Sequence, residues 1–142
     1  MSMFRTMNIS ASGLQAERVR MEVIAQNIAS VETDLEGATP YRRKEVVVVA
    51  QPWAGRVSAG SRRQAVDGGV RVLRIQEDQN PAQLVYRPGD PAANAQGYVQ
   101  LPSVNLPMEM VDMVAATRAY EANAAAFKAG RDMGKRTLDI MR

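Results

Sequence analysis

Residues 106–141 read LPMEMVDMVAATRAYEANAAAFKAGRDMGKRTLDIM, and apolar side chains recur along this stretch in alternating steps of four and three residues. This spacing is typical of a helix seam that faces another helix, and here it is sustained for about five heptads. The stretch therefore predicts a long C-terminal interaction helix. The positions on its seam are Leu106, Met110, Met113, Thr117, Tyr120, Ala124, Phe127, Arg131, Gly134, Leu138 and Met141.

The start and the interior of this helix carry signals of their own. Asn105 is a good N-cap residue, so we expect the helix to begin directly after it. Gly130 and Gly134 lie in the interior, where a glycine costs about 1 kcal/mol relative to alanine. We expect either a close approach of another helix at these glycines or a helix that is stable only when packed.

A shorter seam near the N-terminus matches the first one. Apolar residues recur there every seven positions, and a further isoleucine widens the same stripe. Residues 8–12 hold three candidate N-cap side chains, so we expect this helix to begin there and to end within residues 32–37. Two terminal helices that bracket the rest of the chain favour assembly over catalysis. The seam positions are Met7, Leu14, Met21, Ile24 and Ile28.

Between the helices, short valine-rich and aromatic stretches alternate with turn signals, which indicates β-strands. We expect a small sheet of three or four strands, within residues 41–50, 69–77, 84–87 and 97–102. Residues 51–68 are rich in glycine, serine and arginine, a composition typical of a flexible loop. Trp53 in this loop either anchors a partner or packs on the adjacent sheet.

These elements predict an α+β fold with long N- and C-terminal helices and a small antiparallel β-rich middle region. The expected segments are an N-terminal helical segment, residues 1–35, the middle region, residues 36–103, and the long C-terminal helix, residues 104–142. Because so much of the chain is helical, the middle region supplies only a small core.

The composition excludes several kinds of catalytic and metal-binding site. The chain of 142 residues has 18 basic and 15 acidic side chains and neither cysteine nor histidine. Disulfides, thiolate nucleophiles, the usual zinc ligands and the commonest general base are therefore excluded. The phosphate-binding, hydrolase and metalloprotease motifs are absent as well, so we expect no enzyme, no cofactor and no metal site.

The sequence also gives little support for binding partners other than proteins. The basic triplet of residues 42–44 is more typical of a soluble strand end than of a nucleic-acid site. No apolar stretch approaches the length of a signal peptide or a membrane span, so we expect no membrane insertion. The residues alone leave two leading hypotheses, a self-assembling structural subunit and a soluble helical adaptor or chaperone-like module that binds a partner helix. A small carboxylate enzyme is the least supported alternative.

Several segments resemble a known family. Residues 13–29, GLQAERVRMEVIAQNIA, and residues 40–47, PYRRKEVV, resemble the N-terminal region shared by bacterial flagellar axial proteins, which form the rod and the hook. Residues 84–91, 97–105 and 109–123 are similar to the small proximal-rod members of that family. The short length also resembles these members, because distal-rod and hook proteins carry a large domain between the same ends.

The resemblance implies a structural subunit of the flagellar basal body, in the proximal rod. Such a subunit polymerises with copies of itself and with other rod proteins into the drive shaft across the periplasm. The resemblance further implies export by the flagellar type III apparatus without a cleaved signal peptide, and a coiled-coil-like pairing of the terminal helices. The expected subunit-interface residues are Met7, Leu14, Met21, Ile24, Ile28, Leu106, Met110, Met113, Tyr120, Phe127, Leu138 and Met141.

Overall fold

The computed structural model describes residues 3–31, 41–52, 67–80, 82–91 and 93–140. Two long helices enclose a small antiparallel β-region, so the predicted α+β class is confirmed. In chain order the elements are helix α1 (Met3–Ala29), strands β1 (Lys44–Pro52), β2 (Asp67–Glu77), β3 (Gln83–Tyr86) and β4 (Tyr98–Leu101), and helix α2 (Leu106–Ile140).

Helices α1 and α2 pack against each other in antiparallel directions. Near the start of α1, Met7 lies against Gly130, where an added Cβ would be 3.2 Å from Met7 Cγ. Further along α1, the Thr117 hydroxyl of α2 lies 3.7 Å from Met21 Sδ. From the first contact to the second, the residue number rises from 7 to 21 on α1 and falls from 130 to 117 on α2, so the two helices run antiparallel.

The start of α2 agrees with the sequence, whereas the start of α1 does not. The Asn105 side-chain oxygen accepts a hydrogen bond from the Met108 N–H at 3.2 Å, so the predicted N-cap is confirmed. Helix α1 begins at Met3, before the expected residues 8–12. Ser12, one of the expected N-cap candidates, does not cap the helix. It lies inside the helix, and its hydroxyl donates a hydrogen bond to the Ile9 carbonyl of the preceding turn at 2.7 Å. Helix α1 also ends earlier than expected, at Ala29.

The strands form two separate two-stranded sheets, so the prediction of one sheet of three or four strands is wrong. Strand β1 pairs with β2, with a register shift between Val47 and Val48, and β3 pairs with β4. The chain turns away after β2 because Asp78 accepts a hydrogen bond from the Asn80 N–H at 3.1 Å, which closes an Asx turn. Strand β3 therefore starts a new hairpin.

The core is small, as expected, and lies mainly between α1, α2 and the β1–β2 hairpin. The hairpin packs on α1, and α1 also packs on α2. Within the described ranges, the buried apolar residues are Ala16, Val23, Ile24, Val46, Val99 and Ala116.

Two expectations fall on parts of the chain outside the described residues. The greater part of the predicted flexible loop 51–68, including Trp53, belongs to them, and so does Met141. Residues 51–52 and 67–68 of that loop are described, and they belong to strands β1 and β2. Neither of the two described helices is long and apolar enough to cross a membrane.

Candidate functional site

The face of α2 that packs on α1 is built from small residues. Ala116 is 1% exposed, and Gly130 and Gly134 are buried as well. The Met7 side chain lies so close to Gly130 that an added Cβ would be only 3.2 Å from Met7 Cγ. The helices are therefore close together at Gly130, which agrees with the first of the two alternatives expected at the interior glycines.

Large apolar side chains of α2 remain exposed in the single chain. Met110 is 52% exposed and Leu138 is 69% exposed, and even the large rings of Tyr120 and Phe127 keep more than a third of their surface. Exposed large apolar groups on a folded chain indicate a contact surface when they are this numerous. Further members of this exposed set on α2 are Met108, Val111, Val114, Met133 and Ile140.

The predicted interface positions thus fall into two groups. On α1, Ile24 is buried, and the other predicted positions are partly covered by the chain itself; these are Met7, Leu14, Met21 and Ile28. On α2, Leu106 and Met113 are partly covered, whereas the exposed positions are Met110, Tyr120, Phe127 and Leu138. Met141 lies outside the described residues.

The buried side of α2 is turned relative to the apolar ladder in the sequence. Ala116 and Gly130 are buried, whereas the ladder positions Thr117 and Arg131, one residue further on, are exposed. Consecutive residues in an α-helix are about 100° apart around the axis. The described positions of the apolar ladder therefore lie only partly on the intrachain contact.

A buried polar cluster joins α1, β1 and α2 at one end of the helix pair. Asn27 on α1 is 1% exposed. Its side-chain nitrogen donates to the Lys44 carbonyl at 2.9 Å and to Glu109 Oε2 at 3.1 Å. Its side-chain oxygen accepts from the Lys44 N–H and from the Tyr41 hydroxyl, both at 2.9 Å. One amide side chain therefore binds the start of β1 and the first turn of α2 together.

Glu109 is the charged member of this cluster and is 1% exposed. Its Oε1 accepts a hydrogen bond from Arg43 Nε at 2.6 Å, and Arg43 also lies 3.6 Å from Asp112. Burial works against the charged form of Arg43, but the hydrogen bond and charge of Glu109 outweigh burial and raise the pKa of Arg43. For the Tyr41 phenol, by contrast, burial itself raises the pKa above its ordinary value. The Arg43–Glu109 ion pair therefore binds the residue before β1 to the first turn of α2.

The cleft beside this cluster has a volume of about 240 Å³. Basic and acidic side chains are balanced around it, so its charge favours no class of charged ligand. Its charged lining residues are Arg20, Arg43, Lys44, Glu45, Glu109 and Asp112.

A second, simpler contact holds the other end of the β1–β2 hairpin. The Ser12 hydroxyl on α1 accepts a hydrogen bond from the Val70 N–H at 3.0 Å. Gly69 has a φ of 118° and lies so close that an added Cβ would be 2.3 Å from Ser12 Oγ. Both the positive φ and the close approach require glycine at this position.

The β3–β4 hairpin has a tight turn and an exposed aromatic pair. Asn94 accepts hydrogen bonds from the Gln96 and Tyr98 N–H groups, both at 3.0 Å, and Gly97 has a φ of 79°. Tyr86 and Tyr98 face each other edge to face with ring centroids 5.3 Å apart. The turn accounts for the glycine and asparagine in this stretch of the sequence.

Comparisons with known proteins match both ends of the chain. Residues 7–34 match the family model for the flagella basal body rod protein. Residues 95–140 match the model for the C-terminal part of flagellar basal body rod FlgEFG proteins. The two matched segments contain most of α1 and α2, which are the elements that pair.

Curated relatives decide the family over the full length. The chain is 41% identical to the flagellar basal-body rod protein FlgC of Bacillus subtilis, with 99% of each chain covered. It is 38% identical to FlgC of Borreliella burgdorferi, also over 99% of each chain, and 36% identical to FlgC of Escherichia coli O157:H7, over 99% of this chain and 98% of the relative. The chain belongs to the FlgC family of flagellar basal-body rod proteins.

Membership in the FlgC family confirms the predicted function at the level of a structural subunit of the flagellar rod. It places the chain in the flagellar basal body and among proteins that assemble with other rod components. The resemblance noticed in the sequence to small rod proteins is therefore confirmed. FlgC is a structural family and not an enzyme family.

The buried cluster of this FlgC chain was missed by the sequence analysis. Arg43, which the sequence pattern places in a basic triplet typical of a soluble strand end, is instead the ion-pair partner of the buried Glu109. A signal was present, because Asn27 lies in an apolar stretch between Ile24 and Ile28. A polar residue at such a position is buried only with hydrogen-bond partners, so it points to a contact elsewhere in the chain.

Proposed function

We propose that this FlgC chain is a subunit of the proximal rod, where it polymerises with copies of itself and other rod proteins into the drive shaft across the periplasm. The observation that carries this proposal is the exposure of large apolar side chains on α2 beside a small-residue face that packs on α1. A chain with this distribution of side chains gains apolar burial when the exposed face of α2 packs against a neighbouring subunit. Repeated head-to-tail contacts of this kind extend into a filament.

The proposed division of labour follows the segments of the chain. Residues 1–35 and 104–142 form the rod core through the paired helices, and residues 36–103 form an outer β-rich layer. Two features of the fold support this division. The helices pair with each other, and the β1–β2 hairpin packs on α1. The family models, moreover, match segments that lie mainly in the two helices.

The proposed interface consists of the seam positions predicted from the sequence. Met110, Tyr120, Phe127 and Leu138 are the members best placed for contact with a second chain, because the single chain leaves them exposed. Burying an apolar side chain contributes about 1.5–3 kcal/mol, and every subunit repeats the contact. The partly covered positions on α1 contribute what remains of their surface.

The rod family favours this function over a helical adaptor that binds one partner helix. Assembly also distinguishes the two experimentally, because a rod subunit forms extended polymers and an adaptor forms a closed complex. Purified basal bodies imaged with a label on this chain should show it in the rod next to the inner membrane. Absence of the label from the rod would contradict the proposal.

A pair of substitutions on α2 tests the interface itself. Phe127→Lys should leave the monomer folded, since Phe127 is already 36% exposed, and should abolish motility because a lysine buried between subunits costs several kcal/mol. Ala125→Lys is the matched control, because Ala125 is exposed on the same helix and lies outside the seam. Swimming diameter in soft agar and circular dichroism of the purified chains provide the two measurements. Normal swimming of the Phe127→Lys strain would show that this residue is not an interface residue.

The proposed export route has a separate test. We propose that the chain leaves the cytoplasm through the flagellar type III apparatus and keeps its N-terminus. Cell fractionation should find the chain outside the cytoplasm in wild-type cells and only in the cytoplasm when the export apparatus is inactive. Mass spectrometry of the exported chain should find an uncleaved N-terminal segment, and a shortened one would refute this part of the proposal.

A further inference from the structure

The β1–β2 hairpin lies along α1 and is bound to it at two separated points. Asn27 binds the hairpin at Lys44, and Ser12 binds it at Val70. The two helix positions are 15 residues apart, or about 22 Å along an α-helix. On the hairpin, Val70 pairs with Ala50, six residues from Lys44 along β1, or about 20 Å along a strand. The equal spans show that the hairpin is aligned with the helix.

The attachment at Asn27 is the stronger of the two. The Asn27 side chain takes part in four hydrogen bonds, two of them with the Lys44 backbone, and it is 1% exposed. Arg43, the residue before Lys44, is bound in turn to the buried Glu109 of α2. Opening this end would break three hydrogen bonds of Asn27, with Lys44 and Tyr41, and the Arg43–Glu109 ion pair at once.

The attachment at Ser12 depends on a single hydroxyl. Ser12 accepts one hydrogen bond from the Val70 N–H, while its own proton goes to the Ile9 carbonyl of the same helix. Gly69 makes a close approach to this hydroxyl but has no side chain to bury there. Opening this end therefore breaks one side-chain hydrogen bond and uncovers Gly69, which is buried against α1.

We propose that the β1–β2 hairpin is a swinging arm, with a hinge at Asn27, Tyr41 and Lys44 and a latch at Ser12, Gly69 and Val70. The latch opens while the hinge and the α1–α2 pair stay intact. An arm that moves at one end can adjust to a neighbouring subunit without disturbing the helices that form the proposed core. This inference concerns the isolated chain, so it stands or falls independently of the proposed position in the rod.

Amide hydrogen exchange on the purified full-length chain, followed residue by residue by NMR, tests the arm. Exchange of a protected amide reports the free energy of the opening that exposes it. In Ser12→Ala, the Val70 amide should exchange about fivefold faster, as expected for the loss of one hydrogen bond, and the Lys44 amide should keep its wild-type rate. Ser103→Ala, at a partly buried serine outside both helices, is the matched control and should change neither rate.

A glycine pair tests the same latch from the hairpin side. In Gly69→Ala, the added Cβ would meet Ser12 Oγ at 2.3 Å, and the φ of 118° is strained for alanine. The Val70 amide should therefore exchange more than tenfold faster. Gly89→Ala, where nothing lies within 4 Å of an added Cβ, should leave it unchanged.

Two results would overturn the proposal. In the first, Ser12→Ala leaves the Val70 rate unchanged, so that the hydroxyl does not hold the hairpin. In the second, the Lys44 amide accelerates by the same factor as the Val70 amide in both latch variants, so that the hairpin opens as one unit without a hinge. A selective acceleration at Val70 supports the arm.

Discussion

The substitution Glu109→Ala tests the buried polar cluster most directly. The Glu109 side chain is 1% exposed and accepts hydrogen bonds from Arg43 at 2.6 Å and Asn27 at 3.1 Å. Removing one partner of a fully buried ion pair costs about 3–5 kcal/mol. The Arg43 side chain keeps 26% of its exposure and has Asp112 at 3.6 Å, which offsets part of this cost. We expect the free energy of unfolding to fall by about 2–3 kcal/mol.

Urea unfolding followed by circular dichroism measures this change. Glu121→Ala is the matched control, because Glu121 is exposed on the same helix and should alter stability by less than about 0.5 kcal/mol. Glu109→Gln should give an intermediate loss of about 1–2 kcal/mol, since it keeps the shape but loses the charge. A Glu109→Ala chain as stable as the control would refute the reasoning that this ion pair holds α2 to the start of β1.

Three further perturbations follow from the same contacts. Asn27→Asp should lower the free energy of unfolding by more than about 2 kcal/mol, because it buries a second carboxylate, whereas Gln26→Glu at the exposed neighbour should change it by less than about 0.5 kcal/mol; urea unfolding compares them. Gly130→Leu should lower the melting temperature, since even a Cβ would lie 3.2 Å from Met7, and an unchanged melting temperature would contradict the close helix approach. Since burial raises the pKa of Tyr41 above 10.0, the unfolding free energy should fall as pH rises above that value, and less steeply in Tyr41→Phe; equal slopes would be the contrary result.

The sequence predicts a structural feature well when that feature involves only residues close together in the chain. Asn105 caps α2 as expected, because an N-cap needs only the backbone of the next turn. The ion pair of Arg18 and Glu22 is a feature of the same kind, with 3.0 Å between the charged groups, since residues four apart are neighbours on any helix. Ser12 misled the prediction of the start of α1, because its hydroxyl bonds to distant Val70 as well as to its own helix.

The contacts that join the elements could not be predicted from the sequence. Asn27 and Glu109 are 82 residues apart, and only the antiparallel pairing of α1 with α2 brings them together. Strand patterns likewise identify strands and not their partners, which is why two hairpins were mistaken for one sheet. Alternation along a strand indicates which face is buried, but the choice of partner depends on the turns, here the Asx turn at Asp78.

The turned face of α2 supports the proposal that this helix contacts both α1 and a second chain. The side that meets α1 carries Ala116 and Gly130, which allow a close approach but bury little apolar area of their own. Larger side chains keep part or most of their surface exposed, more than a third for Tyr120 and Phe127 and more than half for Met110 and Leu138. Because apolar burial is roughly proportional to area, the contact with a second chain has more to gain from α2 than the contact within the chain. The apolar ladder of α2 therefore does not coincide with the face that the chain covers itself, which carries the small residues Ala116 and Gly130 one position before ladder residues.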